Sequence, residues 1–208
     1  MMISRRPDVR RDFRRAAEGF AAVVRGIQPG NWERPALGVW NVRDLAGHTS
    51  RALLTVESYL DPARTTDRPA VEDARGYLRA AAAALADPAA VAERGRQAGA
   101  ALGDEPAVAI SSIAERVLQL VDSSHDDALV TTPVGTMTLI GYLPTRTFEL
   151  VVHGLDLVTA TGAAAPAELP LAACLRLATE LTIDTGHAPE VLLALTGRRP
   201  LADGFSVL

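Results

Sequence analysis

The hydrophobic positions of this chain recur mostly at intervals of three and four. Phe13, Ala16, Phe20, Val23 and Ile27 mark one face of a first amphipathic helix over residues 5–27, closed by Gln28-Pro29-Gly30-Asn31. A second stripe runs through Val42, Leu45, Thr49, Ala52 or Leu53, Val56 and Tyr59 or Leu60. It predicts a helix that starts at Asn41, with Asp44 as a capping-box partner, and closes at Pro62. Ile110, Ile113, Val117, Leu120 and Val121 give a third helix ending near Ser123. A fourth covers residues 142–162, with Pro144 in its first turn and Gly162 past its end. Residues 71–85 and 88–102 read as Ala-rich helices, preceded by a polar loop around Asp67 and Pro69. Strand-like alternation is confined to residues 129–132 and 136–139, a short hairpin around Pro133-Val134-Gly135. Helices over 169–185 and 189–196 follow, and Phe205 and Val207 are expected to fold back on the bundle. The pattern predicts a mainly all-α fold: a helix bundle over residues 1–162 and a short C-terminal helical extension, 163–208, packed on it.

Polar residues interrupt two of these stripes. On the fourth helix Arg146, Glu149 and His153 share a face with Leu150, Leu157 and Ala160. A buried polar group left unpaired costs about 2–7 kcal/mol. Glu149 and His153 therefore form a buried salt bridge or hydrogen-bonded pair, or they bind a metal. His48 sits between Leu45 and Ala52 on the second helix, as a hydrogen-bonded core histidine or as a ligand. Glu149 and His153, one turn apart, can reach a single ion, and His48 would complete a set of two histidines and a carboxylate with open positions. Such a set suits zinc, nickel or iron. Asp44, one turn before His48, is explained equally by a cap role and by orienting the imidazole. Arg146 either clamps a substrate carboxylate or pairs with Glu149. Trp32 and Trp40 occupy one loop, as packing residues or as the wall of a pocket. His125, in Ser123-Ser124-His125-Asp126-Asp127, reads as part of an exposed loop.

Composition narrows the chemistry. With 208 residues, 48% of them hydrophobic and 22% charged, the chain is globular, and a net charge of −4 argues against a general nucleic-acid binder. Arg5, Arg6, Arg10, Arg11, Arg14 and Arg15 are interleaved with Asp8, Asp12 and Glu18, the pattern of a solvated helix face. All 21 basic residues are arginine, which removes a P-loop lysine and Schiff-base chemistry. The lone Cys174 excludes an intrachain disulfide, a CxxC pair and a cysteine zinc cluster, and its Ala, Leu and Arg176 neighbours favour a packed thiol. No apolar run is long enough for a membrane span and the Arg-rich opening is unlike a signal peptide, so the expected setting is the cytoplasm.

Two segments carry a resemblance. Trp40-Asn41-Val42-Arg43-Asp44-Leu45-Ala46-Gly47-His48 resembles the W-x-V-R-D-x-x-x-H segment of the mycothiol-dependent maleylpyruvate isomerase N-terminal domain family, a branch of the DinB-like metal-binding four-helix bundles. The run from Arg146 to Leu157, with Glu149, His153 and Asp156, resembles that family's R-x-x-E-x-x-x-H-x-x-D-L segment. The two occur in the family's order, about a hundred residues apart. The resemblance implies a DinB-like four-helix bundle in which His48, Glu149 and His153 bind a divalent metal, zinc before nickel or iron. It further implies mycothiol as a thiol cosubstrate and a small electrophilic substrate, with transferase or isomerase activity. Trp40 and Arg146 are the residues expected beside the thiol or substrate, Arg146 also in a catalytic role. A metal-activated-water hydrolase and a non-catalytic binding module, in the simplest case a homodimer, stand as the alternatives.

Overall fold

Three helices of the bundle begin at side-chain caps that satisfy free backbone N–H groups. Asp8 accepts from the Arg11 N–H (3.1 Å) ahead of helix α1, Val9–Arg25. Asn41 and Asp44 exchange hydrogen bonds as a full capping box (2.8 and 3.4 Å) at the start of α2, Val42–Tyr59. Thr138 accepts from the Gly141 N–H (3.2 Å) ahead of the longest helix, α6, Leu139–Thr161, which stops at Gly162 in the left-handed region (φ 71°). The computed structural model describes residues 8–84 and 87–208. Within them the other helices are α3, Ala74–Ala84; α4, Pro88–Ala101; α5, Pro106–Ser123; α7, Leu171–Asp184; and α8, Ala188–Leu195.

Helices α1, α6, α2 and α5 pack in that cyclic order and close a four-helix bundle. Phe13 and Phe20 of α1, Leu45 and Leu53 of α2, Ile110 of α5 and Leu143, Leu150 and Leu157 of α6 are buried between them. The protein is thus mainly α, as the periodicity predicts. Helix α4 lies against the outer side of α2, α3 covers α6, α7 packs on α6 and α3, and α8 on α7. Val207 of the tail packs on the core, while Phe205 stands edge-on to His187 (5.5 Å between ring centroids). The basic run of α1 ties helices together. Arg10 pairs with Asp126 (2.7 Å) and donates to the Val121 and Ser124 carbonyls at the end of α5, Arg14 pairs with Asp122 and Arg15 with Glu168.

Three expectations are corrected. Helix α6 starts at Leu139 rather than at residue 142, because the Thr138 cap takes over where the hairpin ends. Pro144 therefore lies inside the helix, where it removes one N–H from the ladder. Helix α2 ends at Tyr59 rather than at Pro62, because the chain passes there into a strand: β3, Leu60–Thr65, pairs antiparallel with β4, Ala128–Thr132, which pairs with β5, Gly135–Thr138, so the expected hairpin is two-thirds of a three-stranded sheet. A two-stranded ribbon, β1 (Pro35–Leu37) and β2 (Trp40–Asn41), also occupies the tryptophan loop. The expected start of the first helix at Arg5, with Arg6, and the expected end of another at Leu85 lie outside the described residues.

Candidate metal centre

Helix α2 brings His48, and α6 brings Glu149 and His153, to the seam where the two helices pack. One donor atom from each lies within 4.8 Å of the other two. His153 Nε2 and Glu149 Oε2 are 3.4 Å apart. Two donors each about 2.1 Å from one tetrahedral ion stand roughly 3.4 Å from each other. His153 Nδ1 donates to Asp156 Oδ2 (3.0 Å), which fixes the ring so that Nε2 faces Glu149. The His48 ring lies between Trp40 (centroids 4.4 Å apart, tilted) and His153 (5.1 Å, edge-on), and its Nδ1 is buried without a hydrogen-bond partner. A cluster with one unsatisfied imidazole nitrogen and two donors at ligand spacing fits a divalent cation.

The charges agree with that fit. Burial pushes the His48 pKa down to about 4, with His153 and the guanidinium groups of Arg51 and Arg94 adding to the effect, so this ring stays neutral and able to donate a lone pair. For Glu149 burial favours the neutral acid, but the His153 hydrogen bond, Arg146 and the His153 charge outweigh it and hold the carboxyl down at about 2. Burial also opposes charge on His153, yet its bonds to Asp156 and Glu149 raise it to about 9. Without a metal the pair is therefore a carboxylate beside an imidazolium, and a cation entering the cluster displaces the His153 proton.

The surroundings are ordered by close backbone packing. Gly47 of α2 faces Gly99 of α4 so closely that a Cβ on Gly47 would overlap the Gly99 backbone. A Cβ on Gly95 would come 2.5 Å from the Trp40 indole. Trp40 Nε1 donates to the Ala92 carbonyl (2.9 Å), so the indole is wedged between α4 and His48. Two cavities meet at Glu149. One, about 630 Å³, is walled mostly by apolar groups, including Trp40, Leu78, Val91 and Leu208. The other, about 190 Å³, is bordered by His48, Thr55 and Tyr59 of α2, by Tyr77 of α3, and by Arg51, Arg94 and Arg146. Arg146 is 9% exposed; its Nε donates to Thr145 Oγ1 (2.9 Å) and its guanidinium lies over the rings of Tyr142 (4.9 Å) and Tyr77 (5.3 Å).

Of the residues singled out in the sequence, His48, Glu149, His153, Trp40 and Arg146 all come together here. Asp44 is engaged as a cap. His125 is an exposed loop residue, and Cys174 is buried in a different part of the molecule. Asp156 was within the second motif, three residues after His153, and that spacing was the available signal for its role as ring partner. Arg51 and Arg94 carry no sequence signal of their own.

Against known proteins, the mycothiol maleylpyruvate isomerase N-terminal domain family matches the chain over residues 13–158. That span contains every residue of the cluster and of the motifs. No curated protein and no solved structure matches the chain.

Proposed function

Because the chain belongs to the mycothiol maleylpyruvate isomerase N-terminal domain family, we propose that it is a metal-dependent transferase or isomerase that uses a low-molecular-weight thiol of the mycothiol type on a small electrophile. The observation that carries this reading is the convergence of His48, Glu149 and His153 within 4.8 Å, one imidazole nitrogen of the set being buried without a partner. A divalent ion there, zinc before nickel or iron, supplies the positive charge that ionises a thiol, whose ordinary pKa is about 8.5, near neutral pH.

The protein's own side chains do the rest. Asp156 holds the His153 ring with Nε2 turned to the cluster. Trp40 covers His48 and keeps water from one side of it. Arg146, its guanidinium packed against the rings of Tyr77 and Tyr142, lines the cavity and is the group that would orient a substrate carboxylate. The thiol has to come from outside, since burial, and then Asp12, push the Cys174 thiol up to about 12 and it borders a separate cavity.

The test is metal analysis of protein purified without chelator, followed by thiol titration of a cobalt-substituted form. A single equivalent of metal is expected, lost in the His48→Ala, Glu149→Ala double variant, with a shift of the cobalt absorption when mycothiol is added. Absence of metal sinks the reading. Bound metal with no spectral shift, and substrate turnover without thiol, replaces it with a metal-activated-water hydrolase.

A further inference from the structure

Seven described arginines are not exposed: Arg10, Arg14, Arg43, Arg51, Arg75, Arg94 and Arg146. Four have carboxylate partners, Arg10 with Asp126, Arg14 with Asp122 and Glu18, Arg43 with Glu33, and Arg75 with Asp73, Glu180 and Asp184. The three without one are Arg51, Arg94 and Arg146, and all three border the same 190 Å³ cavity. They come from three different helices, α2, α4 and α6, and the only carboxylate lining the cavity with them is Glu149. Like charges gathered in a half-buried cleft repel one another, and a fold that pairs its other half-buried arginines leaves these three facing an empty volume.

We propose that Arg51, Arg94 and Arg146 form an oxyanion-binding subsite beside the metal cluster, which selects substrates carrying a carboxylate or phosphate group. Resting on the function proposed above, this names the class of molecule that the centre receives. Arg146 is the preorganised member, buried against the rings of Tyr77 and Tyr142 and held at Nε by Thr145 Oγ1. Arg51 is one turn beyond His48 on α2, so an anion that it holds lies next to the cluster. Arg94 closes the cleft from α4, on the same helix whose Gly95 and Gly99 fix its approach to Trp40 and α2. Thr55 and Tyr59, also bordering the cavity, add hydroxyl groups suited to a planar or tetrahedral oxyanion. The apolar cavity on the other side of Glu149 takes the uncharged part of the same molecule.

The test is calorimetric titration of zinc-loaded and metal-free protein with succinate, inorganic phosphate and the uncharged succinamide. Succinate or phosphate binding, with succinamide silent, is expected, and whichever anion binds more tightly identifies the group. Arg51→Gln and Arg94→Gln should each weaken that binding about tenfold, as loss of one charge-assisted hydrogen bond does. Arg51→Lys should recover part of the loss, with zinc content unchanged in all three variants. Equal anion affinity in the glutamine variants, succinamide binding as tightly as succinate, or anions acting only by stripping zinc would each overturn the proposal. Arginine-dependent anion binding to protein that takes up no metal would leave this subsite standing while removing the metal-based function.

Discussion

Two of the cavities that border helix α6 differ in how their charges are settled. On one side Gly141, Pro144 and Thr147 face a space of about 310 Å³ shared with Asp12, Arg75 and Cys174. There the half-buried cation, Arg75, is bound by Asp73, Glu180 and Asp184, and the thiol is pushed up to about 12. On the other side Arg146 and Glu149 face a smaller space with three arginines lacking carboxylate partners and a histidine nitrogen that has no partner. The cavity of about 310 Å³, bordered by the chain's lone cysteine, is the chemically quiet one. Unsatisfied polar capacity separates the sides better than volume or residue type, because a structural charge is normally paired and a working one is left free.

The strongest way to sharpen this contrast is at Asp156. Asp156→Asn removes the charge that orients His153 and should lower zinc affinity about 10- to 100-fold, measured by chelator competition, with little change in the helical circular dichroism. Undiminished affinity would mean that the His153–Asp156 bond is structural only.

The pH dependence of metal-free stability comes next. His153, raised to about 9, contributes stability that is complete below its unfolded value of 6.5 and is lost as pH rises through 9. His48, lowered to about 4, contributes stability present above 6.5 and lost as pH falls toward 4. Glu149, held at about 2, adds a contribution present above 4.5 and lost as pH falls through 2. The unfolding free energy of metal-free protein, from urea titrations, should therefore peak near pH 6.5 and fall by an amount on the order of 1–3 kcal/mol by pH 9. A flat profile over that range would break the account. The alkaline decline should vanish in His153→Gln.

The smallest effect is expected on the quiet side. Cys174→Ala should cost about 1 kcal/mol or less in stability, while zinc affinity and the pH profile stay as they are. A lost metal or a changed profile would show that the two cavities communicate through α6.

What the sequence discloses follows how local each signal is. The stripe of α2 and its Asn41 and Asp44 cap are encoded within a few residues, and so is the Glu149 and His153 spacing on α6. The third donor, His48, became legible only because two motifs occur together. Strand β3 was hidden because Leu60-Asp61-Pro62-Ala63-Arg64-Thr65 has a proline and polar residues that suit an edge strand, and its partner, β4, is more than 60 residues away. The extra turn at the start of α6 was masked by Thr136-Met137-Thr138-Leu139, whose alternation continues past the point where Thr138 caps a helix. Arg51 and Arg94 share a cavity only because α4 packs on α2, a tertiary event that no spacing within either helix records.

The contact of Gly47 with Gly99 seats α4 tightly on the outside of the bundle, next to the cluster. The clustered His48, Glu149 and His153 belong to α2 and α6, inside the bundle, whereas α4 borders the site from outside through Val91, Arg94 and the Trp40 wedge. As long as Gly99 and the Gly95 and Ala92 contacts to Trp40 are kept, the remaining residues of α4 can change without touching His48, Glu149 or His153. Under the proposed function, substrate preference in this scaffold can thus drift, or be redesigned, one helix at a time.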